Sequence, residues 1–255
     1  MAGATEATSP WIIRFHPVPE PRVRLVCFPH AGGSASYYFP VSRVLSSAAE
    51  VLVLQYPGRQ DRRDTPFIGT ITELADAVTA ELRGGPDIPT ALFGHSMGAT
   101  LAFEVARRLE RLGEKPLALF ASGRRAPAEV KDEGLHKSTD AELIEHVAQL
   151  SGTGVEVLRD PDIVRMILPV IRSDYRAAET YRYQPGEKLT CPVYALTGDN
   201  DPQVSTVEAD AWTHYTDGPF EKKVFEGGHF FFTTGPEKPL AYVAECLAAL
   251  TSGTA

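Results

Sequence analysis

Thr90-Ala91-Leu92-Phe93-Gly94-His95-Ser96-Met97-Gly98-Ala99-Thr100-Leu101-Ala102 is the stretch that decides the fold. An apolar run ends in Gly-His-Ser-Met-Gly, and a helical pattern of small residues starts directly after it. This order predicts a strand, a sharp turn with Ser96 at its tip, and a helix whose positive N-terminus points at the turn. Gly94 and Gly98 leave empty the space that flanking side chains would fill. The stretch therefore predicts an exposed serine nucleophile, a hypothesis that the rest of the chain has to support.

Length, composition and charge limit the class of protein. The chain has 255 residues, 43% of them hydrophobic, so it can bury the core of one large α/β domain. A net charge of −8 leaves no basic excess for general nucleic-acid binding. No apolar run is long enough to span a membrane, residues 1–10 lack the pattern of a signal peptide, and the three cysteines lack metal-ligand spacing. We therefore expect a cytoplasmic protein that binds neither nucleic acid nor membrane.

Predicted strands and helices alternate along most of the chain. Continuous apolar runs at residues 22–28, 50–56 and 116–123 are typical of strands that are buried on both faces. Together with the helical patterns between them, they predict an α/β fold with a mostly parallel central sheet and helices on both faces. No linker divides the chain, so we expect a single domain over residues 1–255 that begins with a loose N-terminal arm at about 1–21.

The alternation stops over about residues 127–189, where no good strand occurs. Capping signals predict one helix near Thr139 and a second from Asp160-Pro161, which Pro169 is expected to kink or end. A third helix is predicted over residues 174–183. A helical insertion in an α/β pattern is a candidate lid, and the alternative is a helical extension of the core with no role in access.

A nucleophilic serine needs a base and an acid that orients the base. His229 follows the last predicted strand and two glycines, so we expect it at the same sheet edge as Ser96. Asp201 and Asp199 both follow the preceding strand. Asp201 lies further into the loop and is favoured as the acid, whereas Asp199 suits a hydrogen bond to the backbone within its own turn. The resulting order Ser96, Asp201, His229 is that of the α/β-hydrolase fold.

Two backbone N–H groups are expected to form an oxyanion hole beside the serine. One belongs to Met97, directly after the nucleophile. The other is assigned to Ala31, which with Gly32-Gly33 follows the first clear strand in a glycine-rich loop. His30 is expected to shape this loop and His95 to pack beside the serine turn, so neither is assigned as the base.

The chain resembles the type II thioesterases of polyketide and non-ribosomal peptide assembly lines. The resemblance covers nearly the whole chain beyond the N-terminal arm, and no catalytic position departs from it. General esterases share the serine turn but not the glycine loop beside a Tyr-Pro-Gly-Arg segment. The motifs that carry it are Phe28-Pro29-His30-Ala31-Gly32-Gly33-Ser34, Gln55-Tyr56-Pro57-Gly58-Arg59, Phe93-Gly94-His95-Ser96-Met97-Gly98, Asp174-Tyr175-Arg176-Ala177 through Tyr181, Gly198-Asp199-Asn200-Asp201-Pro202 and Gly227-Gly228-His229-Phe230-Phe231.

The resemblance implies a stand-alone enzyme that removes acyl groups from the phosphopantetheine arm of acyl or peptidyl carrier proteins, in editing or release. It also implies a helical lid over the acyl pocket. The chemistry requires no metal and no cofactor, and nothing in the sequence demands more than a monomer. Because carrier proteins are acidic, a basic patch is expected near the pantetheine entrance. Arg59, Arg62 and Arg63 are its candidates, and a solvated charged loop is the alternative.

Two other functions share the same motifs. An esterase or lipase on the same fold would act on oxygen esters rather than thioesters. A non-catalytic member would bind acyl groups or partner proteins, although the complete set of Ser96, Asp201 and His229 disfavours it.

Overall fold

A seven-stranded sheet forms the centre of the protein in the computed structural model, which describes residues 9–85, 87–129, 131, 133–151 and 160–252. The strand order is β1-β3-β2-β4-β5-β6-β7. The short β1 pairs antiparallel with β3, and every other neighbouring pair is parallel. The strands are β1 (Ile12–Ile13), β2 (Arg24–Phe28), β3 (Glu50–Leu54), β4 (Thr90–His95), β5 (Leu119–Ser122), β6 (Val193–Gly198) and β7 (Phe220–Phe225).

Helices cover both faces of this sheet. Successive residues of β2 alternate between the faces, so Val26 packs in one buried cluster and Leu25 and Cys27 pack in the other. The resulting mostly parallel sheet between two helical layers agrees with the predicted architecture. The helices are α1 (Phe39–Leu45), α2 (Ile71–Leu82), α3 (Met97–Arg111), α4 (Asp140–Ser151), α5 (Pro161–Thr180), α6 (Phe231–Thr234) and α7 (Glu237–Ser252).

The helical insertion contains α4 and α5, while residues 152–159 between them lie outside the described residues. The predicted end of the helix at Pro169 is wrong, because α5 continues through this residue to Thr180 and includes most of the predicted third helix. A proline removes one helical hydrogen bond, but Pro169 lies on the exposed side of α5. The Asp160 side chain caps the helix by accepting hydrogen bonds from the N–H groups of Asp162 (2.9 Å) and Ile163 (3.3 Å).

A second difference lies between β6 and β7. The sequence predicts a helix over about residues 205–215, and the structure has a 3₁₀ helix from Glu208 to Tyr215. Its Trp212 is fully buried, and the indole N–H donates to the carbonyl of Arg124 at 2.8 Å. The segment thus packs tightly against the loop that follows β5.

Residues 1–8 of the predicted N-terminal arm lie outside the described residues. Its later part includes β1, which pairs with β3. The three cysteines are buried and unpaired. Within the described ranges, no helix is long and apolar enough to cross a membrane. The cytoplasmic location stays a prediction.

The junction of β4 and α3 lies in close contact with the end of β2. A Cβ atom placed on Gly94 would lie 2.2 Å from the Gly98 carbonyl oxygen. A Cβ atom on Gly98 would lie 2.0 Å from the carbonyl oxygen of Phe28 and 2.7 Å from that of Pro29. Both glycines are therefore required by backbone contacts, which no change of side-chain rotamer could relieve.

We predict that Gly98→Ala lowers the free energy of unfolding by about 3 kcal/mol, because the added methyl group overlaps backbone atoms. Gly69→Ala is the control, since no atom lies within 4 Å of a Cβ at that position. This variant is expected to stay within about 0.5 kcal/mol of the parent protein. Urea unfolding followed by tryptophan fluorescence measures both, and equal stabilities for the two variants would contradict the prediction.

Candidate active site

Ser96 lies in a strained turn between β4 and α3. Its φ of 54° and ψ of −121° are unusual for a residue with a side chain and cost about 1–3 kcal/mol. Two backbone hydrogen bonds hold the turn: the Ser96 N–H donates to the Ser122 carbonyl at 2.8 Å, and the Ala99 N–H donates to the Ser96 carbonyl at 2.9 Å. The turn leaves the Ser96 side chain half-buried at the carboxyl ends of the parallel strands.

His229 and Asp201 are brought together at the same edge of the sheet. The Nδ1 atom of His229 lies 2.9 Å and 3.0 Å from the two carboxylate oxygens of Asp201. The side chains are almost completely buried, with 2% of His229 and 0% of Asp201 exposed. Asp201 also accepts a hydrogen bond from the Gln203 N–H at 2.8 Å, which fixes its position. A carboxylate on Nδ1 orients the ring and directs Nε2 away from Asp201.

Asp199 has a different role from its neighbour. Its Oδ1 atom accepts hydrogen bonds from the Gly227 N–H and from the Asn200 side chain, each at 2.9 Å. The expected hydrogen bond to the backbone of its own turn is wrong, because the backbone N–H that Asp199 binds belongs to the loop that carries His229. This bond joins the loops after β6 and β7, and thereby supports the pairing of His229 with Asp201.

Ser96 borders a small cavity beneath the helical insertion. The cavity has a volume of about 50 Å³ and is also lined by Met97 and Ala31. Met97 is the first residue of α3, where N–H groups lack acceptors within the helix. Among the described residues, no hydrogen-bond acceptor faces the Ala31 N–H, and Ser96 Oγ is not hydrogen-bonded to His229. Over the same ranges, no cluster of three or more His, Cys, Asp or Glu could hold a metal ion.

The glycine-rich loop after β2 is held by side chains from the segment that follows β3. The Tyr56 hydroxyl donates to the Pro29 carbonyl at 3.2 Å, and Gln55 Oε1 accepts from the Ala35 N–H at 2.9 Å. Arg59 Nε donates to the Gly33 carbonyl at 2.8 Å. The loop is therefore attached to the core at residues on either side of Ala31 and Gly32.

The basic patch expected from Arg59, Arg62 and Arg63 is not formed. Arg59 is buried against the glycine-rich loop. Arg62 is also buried: it donates to the Gln55 carbonyl at 2.8 Å and lies over the Trp11 ring at 4.0 Å. Arg63 alone of the three reaches solvent, with 76% of its side chain exposed. The sequence did not show that backbone carbonyls and an aromatic ring bind the Arg59 and Arg62 guanidinium groups in buried positions.

Two further histidines, His95 and His30, lie near His229. The His95 ring lies 4.8 Å from the His229 ring and 6.1 Å from the His30 ring. Burial, followed by the charges of His229 and Arg59, lowers the pKa of His30 to about 3. Burial, followed by His229 and His30, lowers the pKa of His95 well below its ordinary value. Both rings are therefore neutral at physiological pH, as expected for residues that shape the loop and the serine turn.

Sequence reasoning missed Gly123, which follows β5. A Cβ atom there would lie 2.5 Å from His95 Cε1 and 3.3 Å from His229 Cε1, and its φ is +58°. The glycine therefore leaves room for both imidazoles. Its signal was visible, because Gly123 ends a predicted strand at the same sheet edge as Ser96. Asp174 was also missed: it belongs to a quoted motif, but nothing in that motif shows which residues it contacts.

The parallel sheet, the strained serine turn and the paired His229 and Asp201 define an α/β-hydrolase, and the predicted fold class is confirmed. The chain belongs to the thioesterase domain family, whose model matches residues 23–247. It is 49% identical to the thioesterase PikA5 of Streptomyces venezuelae over 223 residues, which are 87% of this chain and 79% of that protein.

Solved structures agree with this assignment. The type II thioesterase BorB from the borrelidin biosynthetic cluster aligns with a TM-score of 0.87 and 50% identity, over 93% of this chain and 97% of that one. The thioesterase RedJ from the prodiginine pathway of Streptomyces coelicolor aligns with a TM-score of 0.81 and 38% identity, over 89% and 86% of the two chains. The predicted resemblance to type II thioesterases is confirmed, and the chain is an enzyme of the class that hydrolyses acyl thioesters.

We predict that His95 makes the protein less stable in acid. In the unfolded chain His95 is protonated as the pH falls through the ordinary histidine pKa of 6.5. In the folded protein burial lowers the pKa of His95 well below that value, so the ring stays neutral. Stability is therefore present above that pH and is lost as the pH falls through it, by up to about 1.4 kcal/mol per pH unit. His95→Asn keeps a polar side chain that can hydrogen-bond Ser122 Oγ, which lies 3.0 Å from His95 Nδ1, but removes the titrating group.

Urea unfolding between about pH 7.5 and about pH 5 checks this prediction. The parent protein is expected to lose more stability over that range than His95→Asn. The control is His214→Asn at an exposed position, which is expected to keep the parent pH dependence. Identical pH dependence in the parent and His95→Asn would contradict the prediction.

Proposed function

We propose that the protein hydrolyses acyl thioesters on the phosphopantetheine arm of an acyl or peptidyl carrier protein, with Ser96, His229 and Asp201 as its catalytic residues. One observation carries the assignment of these residues. The buried carboxylate of Asp201 contacts His229 Nδ1 at 2.9 Å, at the sheet edge where the strained turn presents Ser96. This arrangement orients an imidazole as a general base for a nucleophilic serine.

The proposed reaction has two steps. Ser96 Oγ attacks the thioester carbonyl while His229 Nε2 takes its proton, and Asp201 stabilises the imidazolium. The N–H groups of Met97 and Ala31 bind the oxyanion. The tetrahedral intermediate then collapses, the C–S bond breaks, and His229 returns the proton to the leaving thiolate. Water attacks the acyl-serine with His229 as base, which releases the carboxylic acid and regenerates Ser96.

The carrier-protein partner is supported by the relatives. BorB is a type II thioesterase from the borrelidin cluster, and RedJ is a thioesterase of the prodiginine pathway. We also propose that the helical insertion acts as a lid. Tyr175 and Ala178 of α5 line the cavity beside Ser96, so this helix forms a wall that an acyl chain would contact.

Oxygen-ester hydrolysis is the main alternative activity. An acyl-pantetheine thioester and the matched oxygen ester, with the same acyl group, separate the two substrate classes. A higher kcat/KM for the thioester supports the proposal, and a strong preference for the oxygen ester contradicts it. Failure of a fluorophosphonate probe to label Ser96 in the folded protein would instead favour the non-catalytic alternative.

We predict that Ser96→Ala lowers kcat for acyl-pantetheine hydrolysis by at least about 10⁴-fold, since no other group forms the acyl-enzyme. The thermal unfolding midpoint is expected to be no lower than that of the parent, because the variant keeps the turn and loses only a hydroxyl group. Hydrolysis is measured by thiol release. Full activity in a folded Ser96→Ala protein would rule out the proposed nucleophile.

We predict that Asp201→Asn lowers kcat by about 10³-fold or more, because the amide cannot stabilise the imidazolium and favours the wrong tautomer. Asp199→Asn is the matched variant in the same loop, and it keeps an oxygen that can accept from the Gly227 N–H. Its kcat is expected to stay within about tenfold of the parent. Steady-state kinetics of both variants test the assignment, and the reverse order would identify Asp199 as the acid.

A further inference from the structure

One face of α5 contacts both the cavity and the glycine-rich loop. Ile171, Asp174, Tyr175 and Ala178 are spaced three or four residues apart and so lie on the same side of the helix. Tyr175 and Ala178 line the cavity beside Ser96. Ile171 packs on Gly32, where a Cβ atom would lie 2.8 Å from Ile171 Cγ1. A single helix therefore covers the reacting centre and the loop that contains Ala31.

Asp174 makes the polar contact between this helix and the loop. Its Oδ2 atom accepts a hydrogen bond from the Gly32 N–H at 2.7 Å. The same oxygen pairs with Arg59 Nη2. Both side chains are about 5% exposed. A charge-assisted pair that is shielded from water holds its geometry more firmly than an exposed pair does.

Arg59 extends the contact to the other side of the glycine pair. Its Nε atom donates to the Gly33 carbonyl and its Nη1 atom donates to the Pro57 carbonyl, each at 2.8 Å. The N–H group of Gly32 and the carbonyl group of Gly33 are thus bound by two side chains that also bind each other. The Gly32 N–H belongs to the peptide that joins Ala31 to Gly32. This arrangement therefore fixes the peptide directly after Ala31 and restricts the rotation of the preceding peptide, which carries the Ala31 N–H.

We propose that Asp174 and Arg59 are positioning residues that hold the Ala31 N–H in the geometry required to bind the oxyanion. This inference rests on the proposed function, because it assigns a task to the same site. Asp174 belongs to the helical insertion, so the oxyanion hole is complete only when α5 lies on the glycine-rich loop. Catalytic competence is thereby coupled to the position of the lid helix, without any contact between Asp174 and the substrate.

Asp174→Ala is the principal test, with an acyl-pantetheine thioester as substrate. Loss of a correctly placed oxyanion donor lowers kcat by about 100-fold in other enzymes, so kcat is expected to fall by about 30- to 100-fold while KM changes less than about threefold. Asp140→Asn is the control, since it removes the charge of an exposed α4 carboxylate that pairs with Arg172 of α5. This control is expected to stay within about twofold of the parent.

Two inhibitors distinguish positioning from a general disturbance of the site. A trifluoromethyl ketone forms a tetrahedral adduct with the serine and uses the oxyanion hole, whereas the matched thioether has no carbonyl oxygen. Asp174→Ala is expected to weaken binding of the ketone by the same factor by which it lowers kcat/KM. Binding of the thioether is expected to stay unchanged. Equal weakening of both inhibitors, or an unchanged kcat, would overturn the proposal.

Removal of Asp174 leaves Arg59 buried without its partner, which can prevent folding. Asp174→Asn is therefore measured as well, because it keeps the shape and one oxygen for the Gly32 N–H. Its kcat is expected to fall by about tenfold, with the same inhibitor pattern. Ser96→Ala, assayed in parallel, separates the two hypotheses: an active Ser96→Ala contradicts the proposed function, whereas an inactive one beside a fully active Asp174→Asn contradicts the positioning role alone.

Discussion

The whole site depends on the contact between the first turn of α3 and the carbonyl groups at the end of β2. At Gly98 the two backbones are too close for any side chain. The parallel register that pairs Phe28 with Gly94 sets this contact. It brings the loop with Ala31 beside the turn with Ser96 and Met97, so that residues from distant parts of the chain line one cavity.

A second contact of the same kind joins the loops after β6 and β7. A Cβ atom on Gly198 would lie 2.3 Å from the Gly227 carbonyl oxygen. The Asp199 carboxylate binds the Gly227 N–H across this contact. Because the loops are locked together, Asp201 and His229 meet although 27 residues lie between them in the sequence. The strand registers therefore determine which loops meet at the site.

This explains which features could be predicted from the sequence. Parallel strands end at one edge, so the meeting of the loops that carry Ser96, Asp201 and His229 followed from recognising the strands. Side-chain contacts across the fold leave no such pattern. Arg59 and Asp174 are 115 residues apart, and the segment with Arg59 looked like a solvated loop. The continuous α5 was also missed, because a proline inside a helical pattern predicts the end of the helix. The sequence did not show that Pro169 lies on the exposed side of α5.

The cluster of imidazoles at the site has a consequence for proton movement. His95 adjoins His229 and His30 adjoins His95, yet burial and the charge of His229 lower the pKa of both. In the proposed reaction, a proton accepted by His229 thus finds no second imidazole that can take it. His30 and His95 thus stay neutral beside the base that contacts the Asp201 carboxylate. The neighbouring histidines therefore do not compete with the serine or the leaving thiol for the proton that His229 carries in the proposed reaction.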